Sequence, residues 1–545
     1  MASETLASTR PEQPADGLPS PVPHPLHAAL DAGRVAHLVQ RVVASPRAQR
    51  TTTTAPFTGL PLVTLPTSTE DDVQQAVEAA RRAQRHWAQV PVRQRAAVLL
   101  RLHDLVLEHQ GEALDLIQLE NGKSRAHAFE EVADVAIVAR HYARTGPRLL
   151  ADRKRPGLVP LLSTSTEVRH PKGVVGIIAP WNYPLTLAVS DALPALLAGN
   201  AVVLKPDSQT PLTALWAADL LERAGLPDGL LQVVVGDGRV VGTAIVDRAD
   251  YVCFTGSTAT GRVVAQRAAH RLVGSSLELG GKNSLYVTED VDVDVAAEGA
   301  VRASYASAGQ LCVSTERVLV HEAVADSFTE AFLRRVGRLR LGAALDFSAD
   351  IGSLVSRAQL EAVTRHVDGA VAGGARVLAG GRPRPDVGPL FYEPTVLDGV
   401  ADDVECWTDE TFGPVVALRT VSGDDEAVAV ANDTPYGLNA SVWVRDTRRG
   451  RALARRIQAG TVNVNEGYIA AWASVGAPMG GMKESGLSRR HGVEGLTKYT
   501  ESQTVGVHRL VHHGLGLGRV YELDGATWTR GMTLGLKALK ALGRR

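Results

Sequence analysis

Cysteine is scarce in this chain, which has Cys253, Cys312 and Cys406 as its three cysteines in 545 residues. They are odd in number and widely spaced, so they match neither a disulfide framework nor the paired spacing of a zinc site. We therefore expect no metal site, and we expect a reducing cytoplasm as the location.

An excess of charge of one sign is also missing. Lys and Arg total 58 and Asp and Glu total 59, which gives a formal net charge of -1 at pH 7 with His neutral. Nucleic-acid binding needs a basic face that displaces phosphate counterions, so we expect no nucleic-acid partner. No run reaches the roughly 18–20 apolar residues of a spanning helix, so we expect no stable membrane insertion.

The chain is too long for one hydrophobic core, because single cores stop growing near roughly 250–300 residues. At least two domains are expected. Residues 1–34 are rich in Pro, Ser and Ala without an apolar segment, which predicts a disordered lead rather than a signal peptide. Residues 511–545 are predicted to be a tail with a short basic amphipathic helix on the surface.

Short apolar runs alternate with stretches of helical spacing. Strands without polar alternation are buried on both faces, and strand–helix alternation predicts a parallel sheet of βαβ units. The runs of a first, doubly wound domain are "GVVGIIAPW", "AVVLKP", "LLQVVVG" and "YVCFTG". A second α/β domain begins at "NSLYVTED", ends at "GTVNVN" and carries Cys312.

Three polar residues are candidates for chemistry. Cys312 follows small residues in "SYASAGQLCVSTERV", and it is either a structural residue packed in the core or a reactive thiol. Asn182 follows the strand "GVVGII", at a carboxyl strand end where open α/β sheets bind ligands, although it could equally be a turn residue. Glu278 precedes two glycines in "LELGGKN", which suits close approach to a ligand better than a solvated surface.

A phosphate site is predicted in "FTGSTATGR", where a buried strand leads through Gly256 and Ser257 into a helix. The free N–H groups and the positive dipole end of that helix favour an anion. The nearest match to a GxGxxG fingerprint, "GDGRVVG", has one residue too many in its last spacing, and a tight turn is the better interpretation.

Seven motifs together carry a family resemblance: "APWNYP", "KPDSQTP", "FTGSTATG", "LELGGK", "GQLCVS", "DETFGPV" and "GGMKESG". In their order and approximate spacing the chain resembles the aldehyde dehydrogenase superfamily over about residues 50–508. Within it, "KPDSQT", "FTGSTATGR" and "NVNEGY" are similar to the actinobacterial-type succinate-semialdehyde dehydrogenase [NADP(+)] branch.

The resemblance implies a fold and its boundaries. These are a Rossmann-like dinucleotide-binding domain at 35–160 and 173–279, and a catalytic domain at 280–484. Two segments, 161–172 and 497–510, resemble the strands that relatives use for contacts between subunits. A homodimer or homotetramer is therefore expected.

The resemblance also implies roles for individual residues. Cys312 corresponds to the nucleophile, Asn182 to the oxyanion donor and Glu278 to the general base. The implied activity is oxidation of a small-molecule aldehyde to its acid through a cysteine thiohemiacetal and thioester. The residues implied in NAD(P) binding are Trp181, Lys205, Ser208, Gly256, Ser257, Leu279, Glu410 and Phe412.

One position bears on the choice of cofactor. Relatives that prefer NAD often have a Glu three residues after the Lys, and here that position is Ser208, a neutral donor beside Lys205. The Asp207 carboxylate favours NAD if it faces the adenine ribose. Neighbouring side chains at a strand end tend to point opposite ways, so we do not expect both Asp207 and Ser208 to meet the ribose. We expect NADP, with NAD also accepted.

Departures from the family pattern leave the substrate open. Where many succinate-semialdehyde enzymes have two arginines that suit a distal carboxylate, this chain has Ser190 and Ala306. The substrate is either succinate semialdehyde or a more apolar aldehyde. The second case predicts a pocket lined by aromatic side chains, and the alternative is that these side chains belong to the core. The aromatic residues concerned are Tyr183, Tyr468 and Trp472.

Three other functions remain as alternatives. Transfer of the acyl group to coenzyme A is disfavoured by Glu278, since that branch typically lacks the base. A thiol hydrolase needs a His beside Cys312, and His321 is the only one near it in sequence. A catalytically silent protein on the same fold would not need Cys312, Glu278 and Asn182 together.

A last departure from the family pattern is Arg490, at a position where many relatives have Glu.

Overall fold

Three β-sheets organise the protein in a computed structural model that describes residues 30–157, 163–508 and 524–541. In chain order the strands are β1 Arg50–Thr54, β2 Pro61–Pro66, β3 Arg153–Pro156, β4 Ser163–Pro171, β5 Val174–Ile178, β6 Ala201–Lys205, β7 Leu231–Val233, β8 Tyr251–Thr255, β9 Gly274–Glu278, β10 Asn283–Val287, β11 Thr315–His321, β12 Arg376–Ala379, β13 Thr395–Asp398, β14 Val415–Val421, β15 Asn439–Trp443, β16 Thr461–Val464, β17 Gly486–Leu487 and β18 Thr500–His508. A separate hairpin is formed by β1 and β2.

Helices cover the two larger sheets. In chain order they are α1 Ala32–Val39, α2 Glu70–Trp87, α3 Val92–Glu108, α4 Gln110–Asn121, α5 Arg125–Leu149, α6 Pro184–Val189, α7 Ala192–Leu197, α8 Pro211–Arg223, α9 Thr243–Val246, α10 Thr258–His270, α11 Val293–Tyr305, α12 Ala325–Val336, α13 Arg357–Ala372, α14 Glu405–Thr408, α15 Asp424–Asn432, α16 Thr447–Ala454, α17 Ile469–Trp472, α18 Glu494–Thr497 and α19 Gly525–Ala541. Helix α2 begins with a capping box, in which Asp72 N donates to Thr69 Oγ1 at 3.3 Å and Thr69 N donates to Asp72 Oδ2 at 2.7 Å.

The first sheet has the strand order β17-β9-β8-β5-β6-β7, and its members pair in parallel except for β17. Strands β5, β6 and β8 are buried on both faces, as their unbroken apolar sequences predict. Because β5, β8 and β9 are neighbours, their carboxyl ends lie side by side at one edge. That edge is where Asn182, Gly256 and Glu278 lie.

The second sheet has the order β12-β13-β14-β11-β10-β15-β16, parallel except for β12. It packs its own hydrophobic cluster, which is distinct from the cluster around the first sheet. Cys312 lies in the loop that connects α11 to β11. The α/β class expected from the sequence is confirmed by these two sheets of mostly parallel strands with helices between them.

The third sheet contains the two segments that resemble subunit-contact strands. In it β4 pairs antiparallel with β18, from Ser163 opposite His508 to Pro171 opposite Thr500, and with β3 on its other side. Strand β18 begins later than the predicted 497, because Thr497 ends α18. Residues 161, 162, 509 and 510 lie outside the described residues.

The predicted ends of the chain differ from the structure in one respect. Residues 1–29 of the predicted lead lie outside the described residues, but α1 begins at Ala32, inside the predicted 1–34. Asp31 caps this helix by accepting from Arg34 N at 2.8 Å, a signal that the composition of the segment concealed. In the predicted tail, α19 has no buried residue. No helix in the described ranges is long and apolar enough to cross a membrane.

Candidate active site

The loop before Cys312 has an unusual backbone. After α11 ends at Tyr305, Ser307 and Ala308 adopt φ values of 51° and 57°, and Gly309 follows with a φ of 70°. A Cβ at Gly309 would lie 2.0 Å from the Gly413 carbonyl oxygen, so only glycine fits there. Left-handed conformations at non-glycine residues are costly, and they persist where the surroundings hold them. The strained turn fixes the direction in which the following residues, including Cys312, are presented.

The far side of this loop is held by Asn283. Its amide nitrogen donates to the carbonyl oxygens of Cys312 and Ser314, both at 2.7 Å. The Cys312 side chain is partly exposed and lines a cavity of about 240 Å³. The thiol is therefore accessible, while the backbone that carries it is fixed.

Asn182 lies in the turn between β5 and α6 and is buried. Its backbone carbonyl accepts from Lys123 Nζ at 2.6 Å, and its side-chain nitrogen donates to Gln310 O at 3.1 Å. An amide nitrogen carries two hydrogens, so one remains for an oxyanion beside Cys312. Asn182 and Cys312 line the same cavity.

A buried ion pair that the sequence did not reveal supports the Asn182 turn. Lys123 Nζ donates to Glu131 Oε1 at 2.7 Å, and both side chains are fully buried. The other oxygen of Glu131 accepts from the backbone N–H of Leu185 at 2.8 Å and of Thr186 at 3.1 Å, at the start of α6. The pair satisfies free N–H groups of that helix, and it links α5 to the turn that carries Asn182.

Glu278 ends β9 and is 6% exposed. Burial raises the pKa of its carboxyl to about 7, and the charge of Arg490 is the strongest opposing influence. Oε1 is buried and has no hydrogen-bond partner among the described residues. A carboxyl group that titrates near neutrality can accept a proton from water at physiological pH.

Around the Cys312 thiol, in contrast to Glu278, the charged groups with the largest influence are negative. Burial raises its pKa to about 12, and the negative charges of Glu410 and Glu278 act in the same direction. These influences favour the protonated thiol in the resting site, so its proton has to leave when the sulfur attacks.

The cavity beside Cys312 brings together most of the predicted cofactor residues. Its lining consists of Pro180, Trp181, Asn182, Thr255, Gly256, Ser257, Glu278, Leu279, Gly280, Cys312, Gln359, Glu410 and Phe412. Trp181 and Phe412 meet edge to face, with ring centroids 5.4 Å apart. Lys205 and Ser208 do not line this cavity and lie at the carboxyl end of β6.

Glu410 and Phe412 are positioned by groups that the sequence did not single out. Glu410 Oε1 accepts from Gly281 N at 2.9 Å, and burial together with the charge of Glu316 raises the pKa of Glu410 to about 8. Glu316 accepts from Phe412 N at 2.9 Å and is paired with the buried Lys282. This second buried pair holds the 410–412 loop against the start of the second sheet.

Ser257 caps α10, and its Oγ accepts from Thr260 N at 3.4 Å. Gly256 N donates to Glu278 O at 3.1 Å, which ties the end of β8 to the end of β9. Ser257 and Gly256 thus lie at the amino end of a 13-residue helix that opens on the cavity, as the phosphate prediction requires.

Lys205, which ends β6, and Asp207 and Ser208, which follow it, make local contacts. Lys205 Nζ donates to Pro206 O at 3.1 Å, and burial lowers the pKa of its ammonium. Ser208 Oγ donates to Gly236 O at 2.9 Å, so its one hydroxyl hydrogen is engaged in this structure and is not free for a phosphate. The Asp207 carboxylate accepts from Gln209 N at 2.9 Å and thereby serves the turn.

A second, narrower cavity of about 30 Å³ adjoins the first. It is lined by Asn182, Tyr183, Thr186, Leu187, Thr255, Glu278, Leu311, Cys312, Val313, Tyr468, Trp472, Met479 and Arg490. Asn182, Glu278 and Cys312 line both cavities. The three candidate catalytic residues therefore lie where the two cavities meet.

The aromatic side chains of this narrower cavity are held from outside it. The hydroxyls of Tyr183 and Tyr468 both donate to the Glu130 carboxylate at 2.9 Å, and the ring of Trp472 lies 6.3 Å from that of Tyr183. Because one carboxylate binds both hydroxyls, the rings present apolar surface to the cavity. The three aromatics line the pocket, which resolves the alternative left by the sequence.

Ser190 and Ala306 stand at the two positions where many succinate-semialdehyde enzymes have arginine. Ser190 Oγ donates to Asp134 Oδ2 at 2.6 Å, and Ala306 is buried; neither lines the narrower cavity. The cation that does line it is Arg490. His321 lies at the far end of β11 from Cys312, and neither lining includes a His, which argues against a thiol hydrolase.

Comparison with known proteins agrees with this geometry. A family model described as "Aldehyde dehydrogenase family" matches residues 43–505. A Mycolicibacterium smegmatis protein named "Putative succinate-semialdehyde dehydrogenase [NADP(+)]" is 53% identical over 489 residues, 90% of this chain and 94% of that protein. Among solved structures, an E. coli NADP dependent enzyme is 34% identical with a TM-score of 0.82, covering 86% of this chain and 96% of its own. Betaine aldehyde dehydrogenase from Staphylococcus aureus, in complex with NAD+, is 31% identical with a TM-score of 0.82, covering 86% of this chain and 97% of its own. Because the matched region includes every candidate site residue, this chain belongs to the aldehyde dehydrogenase family.

Proposed function

We propose that this protein oxidises an aldehyde to its carboxylic acid with NAD(P), using Cys312 as nucleophile and water as the final acyl acceptor. The observation that carries the proposal is the placement of Cys312, Asn182 and Glu278 where two cavities meet. The wider cavity then holds the cofactor, and the narrower one holds the aldehyde. In this assignment, residues 35–160 and 173–279 bind the dinucleotide and residues 280–484 carry the nucleophile.

The wider cavity fits a nicotinamide dinucleotide. Its walls combine an anion-binding helix end at Ser257, the edge-to-face pair Trp181 and Phe412, and the Glu410 carboxylate. An aromatic wall suits a planar ring, and a carboxylate suits ribose hydroxyls. A bound nicotinamide supplies the hydride acceptor.

In the first half-reaction the Cys312 sulfur attacks the aldehyde carbon and its proton leaves to water. The carbonyl oxygen takes the negative charge and accepts from the Asn182 amide and the Cys312 backbone N–H. One such donor in a dry site contributes roughly 3–4 kcal/mol. Loss of hydride from the same carbon then converts the thiohemiacetal to a thioester.

In the second half-reaction Glu278 takes a proton from water while the water oxygen attacks the thioester carbon. The bond from that carbon to the Cys312 sulfur breaks, the acid leaves, and the thiol regains its proton. Glu278 suits this task because burial raises its pKa to about 7, where a carboxylate is basic yet still ionised at physiological pH.

We propose NADP as the preferred cofactor, with NAD also accepted. Support comes from Ser208, a neutral side chain that does not repel a 2′-phosphate as a Glu would, and from the cation Lys205 that ends the neighbouring strand. The printed names of the M. smegmatis relative and of the E. coli enzyme both refer to NADP, and the S. aureus enzyme binds NAD+.

Succinate semialdehyde is the first candidate substrate, on the name of the 53% identical relative. A more apolar aldehyde is the second candidate, and the apolar faces of Tyr183, Tyr468 and Trp472 favour it. The ratio of kcat/KM for succinate semialdehyde and for butanal separates the two.

We also propose a homodimer or homotetramer in the cytoplasm. Strand β18 lies at one side of the third sheet, and most of its residues are exposed, so its outer edge is available to another subunit. All three cysteines are free, which suits a reducing compartment.

The test of the main proposal is direct. Purified protein is mixed with an aldehyde and NADP, and the absorbance of the reduced cofactor is followed. Aldehyde-dependent formation of NADPH with stoichiometric acid is expected. Formation of neither product with succinate semialdehyde, butanal or benzaldehyde, using NADP or NAD, contradicts it.

A further inference from the structure

Arg490 is brought to Glu278 by the pairing of β9 with β17. In that register Gly486 lies opposite Glu278, and the chain continues from β17 to Arg490. Arg490 exchanges backbone hydrogen bonds with Met479, at 2.6 Å and 2.8 Å. Its side chain is 6% exposed and lines the narrower cavity together with Glu278 and Cys312.

The guanidinium is anchored from behind. Arg490 Nη2 lies 3.4 Å from Asp191 Oδ2, and Asp191 Oδ1 accepts from Tyr499 Oη at 2.9 Å and from Lys498 Nζ at 3.2 Å. Burial acts to raise the pKa of Asp191, but Arg490 and Lys498 outweigh it and hold that pKa below its ordinary range. Asp191 therefore stays ionised, and its charge holds the Arg490 guanidinium at the cavity wall.

Two buried atoms of opposite charge make no hydrogen bond with a described residue. Arg490 Nη2 makes no hydrogen bond, since its contact with Asp191 is an ion pair of poor hydrogen-bond geometry, and Glu278 Oε1 makes none either, within the part of the chain that the structure describes. Buried polar groups in native proteins are nearly always paired with protein or water. Both residues line the narrower cavity of about 30 Å³, which has room for a water beside them.

The charged groups around both side chains come from several elements. Those acting on Glu278 are Arg490, Lys498 and Arg489, which lower its pKa, and Asp191, which raises it; Glu278 in turn raises the pKa of Cys312. Those acting on Arg490 are Asp191, Glu278, Asp134 and Tyr499. The neighbouring His491 is kept neutral, since burial and Arg490 lower its pKa to about 3. Of the cations, Arg490 acts most strongly on Glu278.

We propose that Arg490 is a positioning residue for thioester hydrolysis, which keeps the Glu278 carboxylate ionised and directed at the water that attacks the thioester. This inference rests on the proposed function. In the step concerned, the water oxygen bonds to the acyl carbon, its proton passes to Glu278, and the carbon–sulfur bond electrons return to Cys312. Arg490 takes no proton and touches no reacting bond. It performs this role at a position where many relatives have Glu.

The test compares Arg490→Met with Arg490→Lys, which retains the charge, and with Arg489→Met as the matched control. Arg489 is less buried, and its guanidinium donates to the carbonyl oxygens of Gly481 and Ser488. Rapid-mixing measurements give the burst of reduced cofactor, which reports acylation. Steady-state kcat against pH gives the midpoint of the deacylation profile.

For Arg490→Met we expect a retained burst, a KM near that of the wild type, and a midpoint about one unit higher. One unit corresponds to about tenfold slower turnover below the midpoint. Arg490→Lys is expected to recover most of the shift. Arg489→Met is expected to shift the midpoint much less than Arg490→Met does, because Arg489 is the weakest of the three cations that act on Glu278.

An unchanged midpoint in Arg490→Met, or equal loss of burst and turnover, overturns the inference. If Arg490→Met fails to fold because Asp191 loses its partner, the double variant Asp191→Asn/Arg490→Met is compared with the single variant Asp191→Asn, and equal midpoints in these two overturn the inference. A wild type that forms no reduced cofactor with any aldehyde is a different result, because it refutes the proposed function itself.

Discussion

Gly480 lies directly against Glu278: a Cβ on this glycine would be 2.9 Å from Glu278 Oε1. The same Cβ would lie 3.0 Å from Ser488 O, and the φ of Gly480 is 149°. The glycine of "GGMKESG" therefore gives the Glu278 side chain its room. A side chain there must displace the carboxylate or the backbone.

Gly480→Ala is therefore expected to slow deacylation. Displacing a reacting group by about 1 Å can cost on the order of 100-fold in rate. Steady-state turnover should fall at least tenfold on that scale while the burst of reduced cofactor remains. Gly476→Ala is the control, since a Cβ there meets only His141 Cε1, at 3.7 Å. Equal activity in the two variants contradicts the prediction.

Cys312→Ala is expected to abolish aldehyde oxidation and to leave cofactor binding intact, because the sulfur forms the covalent intermediate. Turnover and fluorescence titration with NADPH are the two measurements. Cys406→Ala is the control: this cysteine is buried in the core of the second sheet, so its loss should lower the thermal midpoint and spare kcat. Residual oxidation by Cys312→Ala at a tenth of the wild-type rate or more rules out its role as nucleophile.

Turnover of the wild type is expected to rise with pH through a midpoint near 7. Glu278 works as a base only when deprotonated, and burial raises its pKa to about 7, so activity is lost as pH falls below that value. Glu278→Gln should give one burst of reduced cofactor and then stall as the thioester, detectable as a mass increase on Cys312. Wild-type steady turnover in this variant removes Glu278 from the mechanism.

Ser208→Glu is expected to shift the cofactor preference toward NAD. A carboxylate there repels a 2′-phosphate and accepts from ribose hydroxyls, and one lost ionic contact is worth about tenfold or more. The measurement is the ratio of kcat/KM for NADP and NAD with one short aldehyde, and Ser208→Ala shows how much the hydroxyl alone contributes. A ratio that stays constant across the three proteins shows that this position does not set the choice.

Light scattering is expected to give a mass of two or four times 57.8 kDa. Val505 and Val507 are 42% and 49% exposed on β18, so Val505→Lys/Val507→Lys should weaken the assembly by placing charge on the contact strand. Val371→Lys, which is 47% exposed on a helix elsewhere, is the control. A wild-type protein that stays near 57.8 kDa at micromolar concentration refutes the oligomer.

The elements with local signals could be predicted from the sequence. The unbroken apolar runs predicted β5, β6 and β8, and the motifs located the residues that line the cavities. The buried pairs of Lys123 with Glu131 and Lys282 with Glu316 could not, because nothing local distinguishes a buried charge from a solvated one. Each pairing depends on how helices and loops pack against the sheets.

Backbone strain was equally invisible in the sequence. Ser307 and Ala308 favour negative φ on their own, and only the packing around the loop gives them 51° and 57°. Arg490 was recognised as a departure from the family pattern, but its ion pair with Asp191 joins residues almost 300 positions apart. Only the folded chain shows which cavity that arginine borders.

The raised pKa of Cys312 also has a consequence for the chemical durability of the protein. Burial raises the pKa of this thiol and so lowers its thiolate fraction at neutral pH, and peroxides and alkylating agents react with thiolates far faster than with thiols. The nucleophile is thereby shielded from oxidative damage by its electrostatic environment, even though its side chain is accessible from the cavity. Iodoacetamide should accordingly label the resting protein slowly at Cys312 and faster as the pH rises.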